Sequence, residues 1–192
     1  MPQAFSTDDA PSPEPLPVYT IGHSTRTLPE FVELLRIGRV EMVVDVRSFP
    51  RSRTNPQFDL DTLPGELATW QIDHTQIAEL GGRRKKSTTV ASNVNSFWTN
   101  QSFHNYSDYA LSDEFHRGLS RLKELSLERR CAIMCSEAVW WRCHRRIVAD
   151  YLLNDGRSVF HLMQPARADP AMLTKAATPT RDGLAYPAAE GG

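Results

Sequence analysis

Apolar residues occur along this chain in two rhythms. Short, mostly apolar runs at 18–21, 41–46, 131–134 and 158–163 have the length and character of strands buried on both faces. Between them, apolar positions recur at helical spacing: Phe31, Leu34 and Leu35; then Phe115, Leu119, Leu122 and Leu125; then Ile147, Val148, Tyr151 and Leu152. Strands alternating with helices predict an α/β fold. The expected form is a single domain with a mostly parallel sheet and helices on both faces, a Rossmann-like three-layer arrangement.

Punctuation refines the elements. Thr27 can cap the first helix, with Pro29 in its first turn, Glu30 three residues after the cap and Gly38 at its end. The first two strands and this helix then form a parallel unit with a right-handed crossover. Residues 59–70 predict a helix interrupted near Pro64-Gly65, followed by a short strand at 71–75; further helices are expected at 106–111 and 113–127. The polar stretch 87–105 is too long for an ordinary connection and predicts either a lid or partial disorder. Residues 1–17, rich in proline, serine and acids, read as a disordered leader. Residues 18–165 read as the α/β domain, and 166–192 as a mobile tail.

Composition excludes several classes. No run of about 18 apolar residues exists, and the first residues carry neither a basic nor a hydrophobic segment, so membrane and secretory readings are set aside and a cytoplasmic protein is expected. Three cysteines make no disulfide framework. The formal net charge of −1 argues against a globally basic nucleic-acid binder, so any anion site must be a local concentration of arginine.

In parallel sheets, ligands bind outside the carboxyl ends of the strands. Three loops fall at such ends: Gly22-His23-Ser24, the arginine-rich stretch 47–53, and Cys135-Ser136-Glu137. Cys135, beside a helix N-terminus, has the position of a nucleophile or ligand, Glu137 that of an acid, base or ligand, and His144 that of a general acid or base. Cys131 and Cys143 read as inert small hydrophobes. Arginine presents a planar fork suited to phosphate, and Arg47, Arg51, Arg53, Arg83, Arg145 and Arg146 can deliver it. The expected binding set is His23, Ser24, Asp45, Arg47, Arg51, Arg53 and Arg145. No metal is assigned: with Cys143 and His144 on a helix, their side chains diverge by about 100°, and the spacing from Cys135 fits no standard zinc pattern. Cys135 and Cys143 form no Cys-x-x-Cys pair. Strand, thiol, loop and arginine-bearing helix also resemble rhodaneses and cysteine phosphatases. There, however, a five-residue loop separates Cys from Arg, whereas Arg142 stands seven positions after Cys135.

These segments together resemble the family catalogued as domain of unknown function 488. The resemblance lies in Thr20-Ile21-Gly22-His23-Ser24, in Val44-Asp45-Val46-Arg47 continuing to Pro50 and Ser52-Arg53, in Leu80-Gly81-Gly82, and in Met134-Cys135-Ser136-Glu137 with Cys143-His144-Arg145. Ser136 stands where the family usually carries alanine. The resemblance implies an α/β fold and supplies no activity. The expected function is an enzyme, a hydrolase or transferase, acting on a phosphate-bearing substrate, nucleotide or nucleic acid. It would have a Cys/Glu centre and an arginine anion site. The alternatives are a non-catalytic nucleic-acid or nucleotide-binding module and a rhodanese-like sulfurtransferase. No cofactor and no oligomeric state is assigned.

Overall fold

The computed structural model describes residues 14–189, so most of the expected leader lies outside the described residues. β1 (Val18–Gly22), α1 (Leu28–Ile37) and β2 (Met42–Asp45) follow the hydrophobic pattern closely. Thr27 and Glu30 close a capping box on α1. Next come α2 (Leu63–Ala68), β3 (Asp73–Gln76), α3 (Gln101–Tyr109), α4 (Asp113–Glu128), β4 (Cys131–Cys135), α5 (Arg145–Asn154) and β5 (Val159–Gln164). Pro64 does not interrupt α2. It lies in the first turn, where its missing N–H costs no helical bond.

The sheet has the order β3-β2-β4-β1-β5, all parallel. An antiparallel edge strand, β6 (Arg167–Pro170), follows β5. Alternate residues of each central strand feed two separate cores. Val44, Cys131 and Ile133 pack with α4 and α5 through Phe115, Leu122, Ile147 and Leu152. Val43, Ala132 and Met134 pack with α1 and α2 through Phe31, Leu35, Leu63 and Leu67. The α/β, mostly parallel, single-domain architecture is as expected. Among the described residues no helix is long and apolar enough to cross a membrane.

Two expectations are corrected. Partial disorder does not describe the second half of 87–105: Asn95 is fully buried between the Asp108 carboxylate and the Tyr186 N–H, and Trp98 stacks on Phe103, while Ser102 and Phe103 line a cleft. Asn100 caps α3, which starts five residues earlier than the pattern implied. The tail is also built in. Beyond β6, the hairpin of β7 (Thr178–Thr180) and β8 (Gly183–Ala185) leads to buried Leu184 and Tyr186, and the Tyr186 hydroxyl donates to Asp150.

His161 on β5 is buried between Thr20, which lies 2.7 Å from its Nδ1, and the stacked ring of Trp140. Burial, helped by the Arg145 charge and opposed by Asp169, pushes its pKa down to about 4. The unfolded chain takes up this proton near pH 6.5, so acid favours unfolding. His161 alone should therefore cost the fold about 3 kcal/mol as pH drops from about 6.5 to about 4. Urea unfolding across this range should show that loss, and His161→Gln should remove its share of the slope, leaving the share of the similarly buried His23. An unchanged slope in the variant would refute the assignment.

Candidate functional site

Register brings the candidate loops together. Gly22 lies opposite Cys135 and Asp45 opposite Met134, so β1, β2 and β4 end level with one another. The His23 N–H then donates to Cys135 O, Ser24 N–H to Ser136 O and Val46 N–H to Met134 O. The approach is close enough to require glycine: a Cβ on Gly22 would lie 1.8 Å from the carbonyl oxygen of Glu137.

After Cys135 the chain does not enter a helix at once. A single 3-10 turn, Trp140–Arg142, is followed by Cys143 in extended conformation (φ −127°, ψ 145°), and α5 begins only at Arg145. Cys143 and His144 therefore lie on a connection, not on a helix, and the separation expected from helical phase does not apply. The connection folds them back onto the end of β4. His144 Nδ1 lies 3.9 Å from Cys135 Sγ and 3.6 Å from Cys143 Sγ. Its Nε2 lies 3.0 Å from the Val46 carbonyl, which can only accept, so Nε2 carries a proton and Nδ1 is directed at the sulfurs. Gly82 passes over the face of this ring, where a Cβ would come within 2.3 Å of Nδ1.

Cys143, expected to be inert, is part of this cluster. Burial acts to raise its pKa, but the Cys135 thiol and the Arg145 guanidinium, whose Nε–H donates to Cys143 Sγ at 3.2 Å, bring it down to about 6. Cys135 moves oppositely, pushed up to about 12 by sharing its proton with Cys143 and by burial.

The arginines divide into two groups. Arg47 is buried and fully occupied: it donates to both oxygens of Asp45 and to Phe58 O, and its Nη1 lies 3.2 Å from His23 Nε2. Arg145, only 1% exposed, donates to Glu137 O and Cys143 Sγ. These two hold the loops and offer no free fork. His23 is likewise committed at both nitrogens, to Ser24 O and Arg47, and burial drives its pKa down to about 4. Asp45 is buried beneath Arg47, while Ser24 and Arg53 lie off the cleft. Arg51 lines the cleft edge and pairs with Asp61. Arg83 and Arg142 also line the cleft and are exposed, and neither side chain forms an ion pair or hydrogen bond among the described residues. Arg83 lies over the Phe49 ring.

The cleft itself measures about 410 Å³. Cys135, Cys143 and His144 line it together with Ser48, Ser136 and Glu137, and the chain at Glu137 is exposed. The sequence model of the family described as "Domain of unknown function DUF488" matches residues 27–152. The chain belongs to the DUF488 family. That span takes in the Asp45-Arg47 pair, Gly82 and the whole Cys135-to-Arg145 connection, so most of the cleft is family sequence. No curated protein and no solved structure matches the chain. The roles of Cys143, Arg142 and Gly82 in this DUF488 member are not apparent from residue type. The adjacent glycines of Leu80-Gly81-Gly82 were the one available signal, since paired glycines mark close backbone approach.

Proposed function

We propose that this DUF488 protein is an enzyme, a hydrolase or transferase, whose cleft binds a phosphate-bearing small molecule and presents it to the Cys135–Cys143–His144 cluster. The observation that carries this reading is the pairing of two uncommitted guanidinium groups, Arg83 and Arg142, with a sulfur–imidazole cluster in one cleft. Arginine forks recognise phosphate oxygens in pairs, and the cleft falls within the usual size range of small-ligand sites. A nucleotide suits it better than a nucleic acid, because the formal net charge of −1 provides no general attraction for a long polyanion. Glu137 stands at the mouth of the cleft, where it can exchange protons with a bound ligand. A reducing, cytoplasmic setting, which the count of three cysteines suggests, would keep these thiols available.

Arg83→Ala and Arg142→Ala, combined, test the reading by calorimetric titration with pyrophosphate and with adenosine monophosphate. Each lost charge-assisted contact should weaken binding by about tenfold or more, while exposed positions should leave stability within about 0.5 kcal/mol. Affinity equal to that of the unaltered protein would overturn the proposal.

A further inference from the structure

Three donor atoms from two segments converge at the base of the cleft. Cys135 Sγ, Cys143 Sγ and His144 Nδ1 all lie within 4.8 Å of one another. In a tetrahedral zinc site, Zn–S bonds of about 2.3 Å and a Zn–N bond of about 2.0 Å place sulfur and nitrogen about 3.6 Å apart. The two sulfur–nitrogen separations here are 3.6 and 3.9 Å. A proton on Nδ1 can serve only one of the two sulfurs at a time, whereas a cation at the centre serves all three donors. The surroundings are those of a metal-binding histidine: the opposite nitrogen donates to a backbone carbonyl, which fixes the ring and leaves Nδ1 to the metal. Arg145 supplies the corresponding outer hydrogen bond to Cys143 Sγ.

We propose that Cys135, Cys143 and His144 bind one zinc ion, with the fourth coordination position open to the cleft. Two thiolates and an imidazole select a soft or borderline cation, and three protein ligands with an open position are the pattern of catalytic rather than structural zinc. A zinc ion there would supply a Lewis acid, and the fourth position would take water or a ligand oxygen. This site deepens the function proposed above and rests on it only for what occupies that fourth position. Because Cys143 and His144 precede the helix, no helical phase turns their donor atoms apart.

The test uses the full chain, purified without a metal-binding tag, reduced, and stripped of metal in the absence of phosphate. Cobalt(II) should bind with about one equivalent, giving a thiolate-to-cobalt charge-transfer band and the intense visible bands of a tetrahedral site, and zinc should displace it. Cys135→Ser, Cys143→Ser and His144→Gln should each weaken cobalt and zinc binding by about a hundredfold or more. Cys131→Ser, at the opposite end of β4, should leave the spectrum unchanged.

The titration of the unaltered protein decides by itself if a variant fails to fold. Folded, reduced protein that stays spectroscopically silent overturns the proposal and leaves a thiolate–imidazolium pair as the better account of the cluster. Loss of the bands in Cys131→Ser as much as in the three ligand variants overturns it too. Because no phosphate is present, failure here leaves the arginine reading standing. Conversely, an arginine variant that still binds pyrophosphate would leave the cobalt spectrum unaffected.

Discussion

Asp45→Asn will lower folding stability by about 3–5 kcal/mol, the cost of stripping one partner from a buried ion pair. Asp45 is fully buried and Arg47 is 5% exposed. The carboxylate accepts from the Arg47 backbone N–H and from Nε and Nη2 of its guanidinium, and His74 Nε2 lies 3.8 Å away. Burial works against the charged form, yet His74 and Arg47 outweigh it and hold the Asp45 carboxyl below its ordinary value. An asparagine keeps one acceptor but turns an NH₂ donor toward a guanidinium that cannot lose its charge. Chemical denaturation at pH 7 measures the loss, with Asp61→Asn as the control. Asp61 pairs with Arg51 on the surface, and an exposed pair contributes only about 0–1 kcal/mol. The linkage has a definite sign. A lowered carboxyl pKa stabilises the fold above the unfolded value near 3.8 and ceases to do so as pH falls through the folded value. Asp45→Asn should therefore converge toward its parent in acid. Equal, small costs for Asp45→Asn and Asp61→Asn at pH 7 would show that Arg47 is not held by Asp45 and is free for an anion after all.

The same pair shows where sequence reading stops. That Asp45 and Arg47 lie at the carboxyl end of a strand follows from the apolar run 42–46, and so does the convergence of three loops on one edge, because parallel strands end level. Whether an arginine in such a loop faces a ligand or a carboxylate two residues away depends on side-chain direction, which composition does not carry. Arg47 and Arg145 turn inward, whereas Arg83 and Arg142 stay free. A one-turn error in the start of α5 had a larger effect. The helical pattern of 147–152 extends back without a glycine or proline to stop it, so Cys143 and His144 read as helical and divergent. In fact they precede the helix, Cys143 extended and His144 at its N-cap, and both face Cys135 Sγ. The tail misled for a different reason. Its residues are small and polar, but Leu184 and Tyr186 find partners in Tyr151, Asp150 and Asn95, contacts too distant in sequence for local pattern to register.

Gly22→Ala will disrupt both the fold and the cleft, since the added methyl has no free space. Its Cβ would lie 1.8 Å from Glu137 O, 2.7 Å from Glu137 C and 3.1 Å from Ala138 Cα, all of them backbone, so no flexible side chain can swing aside. Either β1 leaves its register with β4, losing the bond from His23 N–H to Cys135 O, or the segment after Cys135 moves away. The second course pulls Glu137 O from the Arg145 guanidinium, 2.6 Å away, and so unseats the group that donates to Cys143 Sγ. Overpacking of this kind costs about 1–3 kcal/mol where neighbours can yield and more where they cannot, so a loss of about 3 kcal/mol or more is expected. Gly65→Ala provides the internal comparison. Gly65 lies within α2, a Cβ there meets nothing within 4 Å, and alanine is the better helix former by about 1 kcal/mol, so that variant should match or exceed the parent in stability. Thermal unfolding of the two variants and titration with pyrophosphate read both consequences. A Gly22→Ala protein as stable as Gly65→Ala, with unaltered pyrophosphate affinity, would mean that the end of β1 does not abut the Cys135–Glu137 segment. The cleft would then have to be assembled differently from the structure described.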